Sequence, residues 1–159
     1  KIKESTPLKI GLINDPLVAI NISVSLYLIF IAETDAHTSL LAILFYIIAL
    51  LLFWASINEA GELELAGPTS VQKLLKTGPY SIIRHPLYLS YSLIWMGNFF
   101  VTSSLVVLTV TLLLIVLYIE LARLEEAAFL ASDLSGLYIE YQKETGMFIP
   151  TIIRRRIIL

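Results

Sequence analysis

Apolar residues in this chain come in long uninterrupted runs, and the runs predict its elements. Pro16 to Ala32 carries no charge and, with the apolar stretch Ile10 to Ile13 before it, approaches the roughly 20 residues needed to cross a bilayer. Asp15-Pro16 reads as the start of this first helix, because Asp can cap free amides and proline suits the first helical position. Residues before it, with Lys1, Lys3 and Lys9, read as an interfacial segment. A short polar loop, Glu33 to Thr38, follows, with His37 expected to be a solvated loop residue. Leu40 to Asn58 is a second uncharged run, with Tyr46 and Trp54 at interfacial or packing depths. Leu87 to Ile119 is uncharged throughout. As one helix it would be about 50 Å long against a hydrocarbon core of about 30 Å, so a break is required. Gly97-Asn98 through Thr102-Ser103-Ser104 holds the turn-forming residues for it, and a helical hairpin follows.

Composition sharpens this pattern. Hydrophobic residues make up 57% of the 159 positions, charged residues 15%, and mean hydropathy is +0.82. The chain reads as an all-α polytopic integral membrane protein of about four transmembrane helices, spans near 16–32, 40–58, 87–101 and 105–121, in a single domain. A net charge of −2 gives no reason to expect a nucleic-acid partner. The absence of cysteine excludes disulfides, thiolate chemistry and cysteine-based zinc sites, and two distant histidines make no metal centre. The chain opens at Lys1, as trimming would leave it, and no secretory leader pattern is visible, so the first run is read as a mature span.

With four spans, all 11 Lys and Arg fall on one side; with three, the five from Arg123 onward would lie opposite the rest. The basic side is expected to be cytoplasmic, with both termini there. The tail Arg154-Arg155-Arg156 would suit an anionic leaflet. One face would then hold both the polar stretch Lys73 to Tyr88 and the helix end around Glu125.

Those two stretches carry the candidate chemistry. Gly78-Pro79 forces a turn and His85-Pro86 biases His85 away from helical geometry, so the stretch reads as an interfacial loop with free backbone donors beside an imidazole and phenols. Glu120 to Leu130 carries a helix out of the membrane, and adjacent Glu125 and Glu126 point about 100° apart. Ionisable groups at the end of a membrane helix are functional candidates. The structural alternatives are a helix terminus ion-paired to Arg123 or Arg84, and a hydrogen-bonded loop histidine. Glu59, Glu62 and Glu64 read as a solvated connector. Asp133 to Gly136 interrupts the last long helix, and Leu137 to Glu144 reads as a short amphipathic helix bearing Tyr138 and Tyr141.

Gln72 to Tyr80, then Arg84-His85-Pro86-Leu87-Tyr88, Glu125-Glu126, Tyr138, Tyr141 and Phe148-Ile149-Pro150 together resemble the integral-membrane methyltransferases of the isoprenylcysteine carboxyl methyltransferase and phospholipid methyltransferase type. The resemblance implies a small helical membrane protein that binds S-adenosylmethionine at its cytosolic end and methylates a membrane-embedded lipophilic acceptor. It implies cofactor contacts from Gln72, Lys73, Leu74, Leu75, Tyr80, Arg84, His85, Pro86, Leu87 and Tyr88, and catalytic roles for Arg123, Glu125 and Glu126. Members that methylate a carboxylate tend to carry an arginine one turn before the glutamate pair. Here that position is Leu121, and Ser90 stands where glycine is frequent, so an amine or other lipid-phase acceptor is at least as well supported. Two rivals remain: a sterol-reductase-like enzyme using NADPH, and a non-catalytic membrane or lipid-binding subunit.

Overall fold

The computed structural model describes residues 6–31, 36–61 and 73–151. Expectations about Gln72, Glu62, Glu64, the Glu33–Asp35 loop and the Arg154–Arg156 tail lie outside the described residues. Five α-helices account for most of the rest: α1 (Thr6–Ile31), α2 (Ala36–Ala60), α3 (Pro86–Thr102), α4 (Leu105–Leu130) and α5 (Ser135–Glu144), with a 3-10 turn at Gly78–Ser81. The chain is an all-helical membrane protein. Among the described residues, three helices are long and apolar enough to cross a membrane: α1 over Ile13–Ile31, α2 and α4. Helix α3, at 17 residues, spans only about 26 Å, short of the roughly 30 Å core.

Two boundary expectations need correction. Helix α1 begins at Thr6, and Pro16 lies inside it. A proline in a solvated helix interior usually breaks it, but in a membrane the backbone has no water to turn to and a helix tolerates proline better. The hairpin turns at Ser103-Ser104, between the expected arms 87–101 and 105–121, while Gly97 and Asn98 lie within α3. Ser103 adopts the left-handed conformation (φ 48°) and its amide donates to the Phe99 carbonyl at 2.7 Å, a helix C-terminal cap. His37 also sits in the first turn of α2, exposed, rather than in a loop.

Helix α3 is the hub: α2 packs along it, and α1 and α4 pack on it and on each other. Gly97 permits a close approach of α2, since a β-carbon there would lie 2.5 Å from the Tyr46 ring. A polar chain ties all four helices together at membrane depth. Tyr46 donates to Asn98 Oδ1 at 2.7 Å, Asn98 Nδ2 to Asn21 Oδ1 at 2.8 Å, Asn21 Nδ2 to Thr111 at 3.1 Å, and Thr111 to the Trp95 carbonyl at 3.1 Å. Asn21 and Thr111 are fully buried. Lipid offers no hydrophobic drive between helices, so such bonds and close packing hold the bundle and set its register. Beside this chain, Trp95, Val110, Leu114, Tyr118 and Leu121 form the apolar core.

Beyond the bundle, the C-terminal part folds back onto the loop that precedes α3. The Arg84 amide donates to the Gly146 carbonyl at 2.8 Å and the His85 amide to Met147 at 3.2 Å, beside an isolated bridge pairing Ile83 with Gly146. Tyr141 of α5 donates its phenol proton to the Tyr80 carbonyl at 2.5 Å. At the other side, Thr77 donates to Glu59 at the end of α2, and Gly78, with φ 56°, packs over the same carboxylate. Glu59 is thus a latch for the loop and not merely part of a solvated connector.

Candidate active site

Pro86 opens α3 at a position where its missing amide costs nothing, and His85 sits just before it in a non-helical conformation. That geometry turns the imidazole across to the end of α4. His85 Nδ1 lies 3.3 Å from Glu125 Oε2, and Nε2 lies 3.2 Å from Glu126 Oε1. One ring therefore spans the two carboxylates, which diverge from adjacent helical positions. Burial penalises the charge on this ring, but the bonds to Glu125 and Glu126 outweigh it and raise the His85 pKa above its ordinary 6.5.

The two glutamates have different surroundings. Glu126 is buried, and both its oxygens are engaged. Oε1 accepts from Arg84 Nε at 2.8 Å and faces His85, while Oε2 accepts from Gln142 of α5 at 3.0 Å. Arg84 in turn donates from Nη1 to the carbonyls of Thr145 and Gln142. Glu125 accepts from Tyr88 at 2.5 Å and keeps 24% of its side chain exposed. Rings line this side: His85 stacks on Tyr88 at 5.9 Å, and Phe148 lies 5.9 Å from His85 on another side. Behind Glu126, burial pushes the Tyr141 phenol up to about 12, and the Tyr138 phenol is raised for the same reason, so both remain neutral.

Arg84, His85, Tyr88, Glu125 and Glu126 are brought together as the sequence led us to expect. Pro86 is buried as the hinge of the turn, and Leu87, half-buried, follows it. Tyr80 is buried in the 3-10 turn under Tyr141. Lys73, Leu74 and Leu75 lie in the irregular lead-in to that turn, Lys73 exposed and the leucines half-buried. Arg123 does not join the cluster: it is 63% exposed and pairs with Glu120 at 2.5 Å, one turn back on the outer face of α4. Two residues along a helix is about 200°, which turns Arg123 away from Glu125. The loop's backbone is also less free than expected, because the amides of Tyr80, Ile82, Ile83, Arg84 and His85 all have carbonyl partners.

Gln142, Thr145 and Tyr118 are contributors that the sequence reading missed. Tyr118 stands seven residues before Glu125, two helical turns away on the same face, a spacing visible in the sequence. Gln142 and Thr145 carry no such signal, since their roles arise only from the fold-back of α5.

Chemically, the cluster carries two carboxylates against one guanidinium, a net charge of −1 while His85 is neutral and zero once it is protonated. A half-buried carboxylate set among aromatic faces is suited to a cationic group. The described residues contain no cluster of ligands able to hold a metal ion. Comparison with known proteins adds one finding: the sequence profile described as phospholipid methyltransferase matches residues 37–134, a segment running from α2 to the end of α4 and including Arg84, His85, Tyr88, Glu125 and Glu126. No curated protein and no solved structure matches the chain.

Proposed function

Since the chain belongs to the phospholipid methyltransferase family, we propose that it transfers a methyl group from S-adenosylmethionine to a lipophilic acceptor held in the membrane, at the end of the bundle where Glu125 lies. We further propose that this end faces the cytosol, where the basic residues gather.

The residues present fit the cofactor. When bound it supplies an electrophilic methyl on a sulfonium, together with an ammonium, a carboxylate and an adenine. Its two cationic centres against one carboxylate suit a cluster that holds two carboxylates, one of them accessible. Glu125 is the carboxylate with exposure to spare, and it would hold a cationic centre. Tyr88 and His85 fix its orientation. Phe148 would offer a face to the cation or the adenine and, with Tyr88, would exclude water from the reacting end. Glu126, with both oxygens occupied, instead holds Arg84, His85 and α5 in place. Methyl transfer asks for alignment of the attacking atom with the methyl–sulfur bond and for a dry site, more than for proton transfer. An acceptor from the bilayer and a cofactor from water can meet only near such an interface.

The observation that carries this reading is the division of the glutamate pair, one locked and one accessible, within the span that the family profile covers. For the acceptor, an amine is favoured over a carboxylate: Leu121 is buried in the apolar core, Arg123 turns outward to Glu120, and Arg84 is committed to Glu126. That same commitment of Arg84 counts against a reductase, whose cofactor phosphate would want a spare cation.

Calorimetry with S-adenosylmethionine and S-adenosylhomocysteine, followed by labelled-methyl transfer to a total lipid extract, tests the proposal. Binding of both is expected, with Glu125→Gln weakening it about tenfold or more, as for a lost charge-assisted bond. Absence of binding for either compound overturns it.

A further inference from the structure

Below Glu125, toward the membrane, the aromatic residues form a continuous column. Tyr88, whose hydroxyl donates to Glu125, lies between two rings: His85 on one side at 5.9 Å and 22°, and Tyr118 on the other at 5.7 Å and 10°. Tyr118 is 5% exposed and reaches the column from α4. Its own position is fixed twice over. Trp95 Nε1 of α3 donates to its hydroxyl at 3.0 Å, and Tyr91 packs tilted against its ring at 5.8 Å. Phe53 of α2 then lies 6.2 Å from Tyr91.

Tyr88 has two side-chain torsions, and its hydroxyl meets Glu125 with the ring held as it stands between its neighbours. His85 cannot supply that constraint alone, since it is itself held by the glutamates it spans. On its Tyr118 face, Tyr88 rests on a residue rooted in the apolar core. We infer that Tyr118 is a positioning residue for the cofactor site: its ring is the floor that keeps Tyr88 upright and, through the Tyr88 hydroxyl, fixes the carboxylate of Glu125. The inference rests on the reading of Glu125 as the cofactor-facing carboxylate. It adds that the site's geometry is set from inside the bundle, by a side chain that touches neither cofactor nor acceptor. Part of the column joins α2, α3 and α4, so their relative placement is passed to Glu125 through packed rings.

A double-mutant cycle read by S-adenosylhomocysteine binding separates this role from ordinary packing. Tyr118→Leu should weaken binding about tenfold, near the size of a lost hydrogen bond to a charged group. Tyr118→Phe, which keeps the ring, should stay within about twofold. In a Glu125→Gln background, Tyr118→Leu should cost little more, because the residue through which it acts is already gone. Independent additive losses, or equal losses for Leu and Phe, overturn the inference, as does wild-type affinity in Tyr118→Leu. A second readout needs no ligand: of the two histidines, the carbon-labelled signal of His85 should move in Tyr118→Leu and hold still in Tyr118→Phe, with His37 as the internal reference. An unmoved His85 signal also overturns it. Should the Leu variant fail to fold, Tyr118→Met carries the same expectations. Failure of the wild type to bind would defeat the cofactor reading and leave the histidine signal to decide the role of Tyr118.

Discussion

Replacing Arg84 by methionine tests how firmly the site is welded to the C-terminal part. The wild-type guanidinium bonds to Glu126 at 2.8 Å, with both side chains 11% exposed, and its other contacts are carbonyls of Gln142 and Thr145. Methionine keeps much of the stem's packing and removes the charge. Glu126 would then be a buried carboxylate left with His85, Gln142 and the Tyr138 phenol beside it. Removing one partner of a buried pair costs about 3–5 kcal/mol. These remaining partners place Arg84→Met near the lower end, about 3 kcal/mol. At about 2–4 °C per kcal/mol for a chain of this size, the thermal midpoint should fall by about 6–12 °C. Circular dichroism in detergent micelles would follow it. The double variant Arg84→Met/Glu126→Met leaves no orphan charge and should recover at least half of the loss. A single variant within about 2 °C of wild type, or a double variant as unstable as the two singles summed, would refute the weld.

The remaining predictions concern charge, depth and exposure. Because the folded pKa of His85 is raised above its unfolded value of about 6.5, its pairing with the glutamates is fully stabilising below that pH and is lost as pH rises through the folded value. The thermal midpoint should therefore fall with pH above about 6.5, a slope that disappears in His85→Phe and steepens in Arg84→Met, where His85 is the cation left on Glu126. Asn98→Leu cuts the bonds to Tyr46 and Asn21 and should cost about 1–2 kcal/mol in bicelle unfolding; no loss would mean the polar chain is dispensable. Arg123→Ala removes only an exposed pair and should change stability by less than about 0.5 kcal/mol, with cofactor affinity unchanged; a marked loss of affinity would return Arg123 to the site.

Much of this was legible in the sequence, and the reasons differ by element. Spans are easy to read because lipid demands long uncharged runs, and the excess length of 87–119 forced a hairpin. Where that hairpin turns was legible as well, between arms 87–101 and 105–121, although Gly97-Asn98 and Ser103-Ser104 both carry turn signals. Tertiary contacts decide between them, since Gly97 admits the Tyr46 ring and Asn98 is used up bridging Asn21 and Tyr46. The start of α1 was misread, since Asp15-Pro16 is a strong start signal in water and a weak one in a membrane. In the site, helical spacing exposed the divergence of Glu125 and Glu126 but could not say which one is locked. That depends on Arg84 and Gln142, one before α3 and one on α5, brought to a single carboxylate from opposite ends of the C-terminal half.

The fold-back also explains why the polar stretch before α3 can be irregular so close to a membrane. Unpaired amides are costly near hydrocarbon, and a loop there needs a substitute for a helix's internal bonds. Segment 145–147 supplies it in part, taking the amides of Arg84 and His85, while the 3-10 turn satisfies those of Tyr80, Ile82 and Ile83. The same carbonyl of Thr145 that accepts from the Arg84 side chain belongs to a residue whose hydroxyl caps α5 through the Tyr141 carbonyl. Backbone satisfaction and site assembly are thus one set of bonds. A change that loosens the 145–147 segment, such as a proline at Thr145, should release the loop, Arg84 and Glu126 together rather than one at a time. Measured by hydrogen exchange, the amides of Arg84 and His85 should then lose protection in step, and protection lost at only one of them would show that the segment is not a single unit.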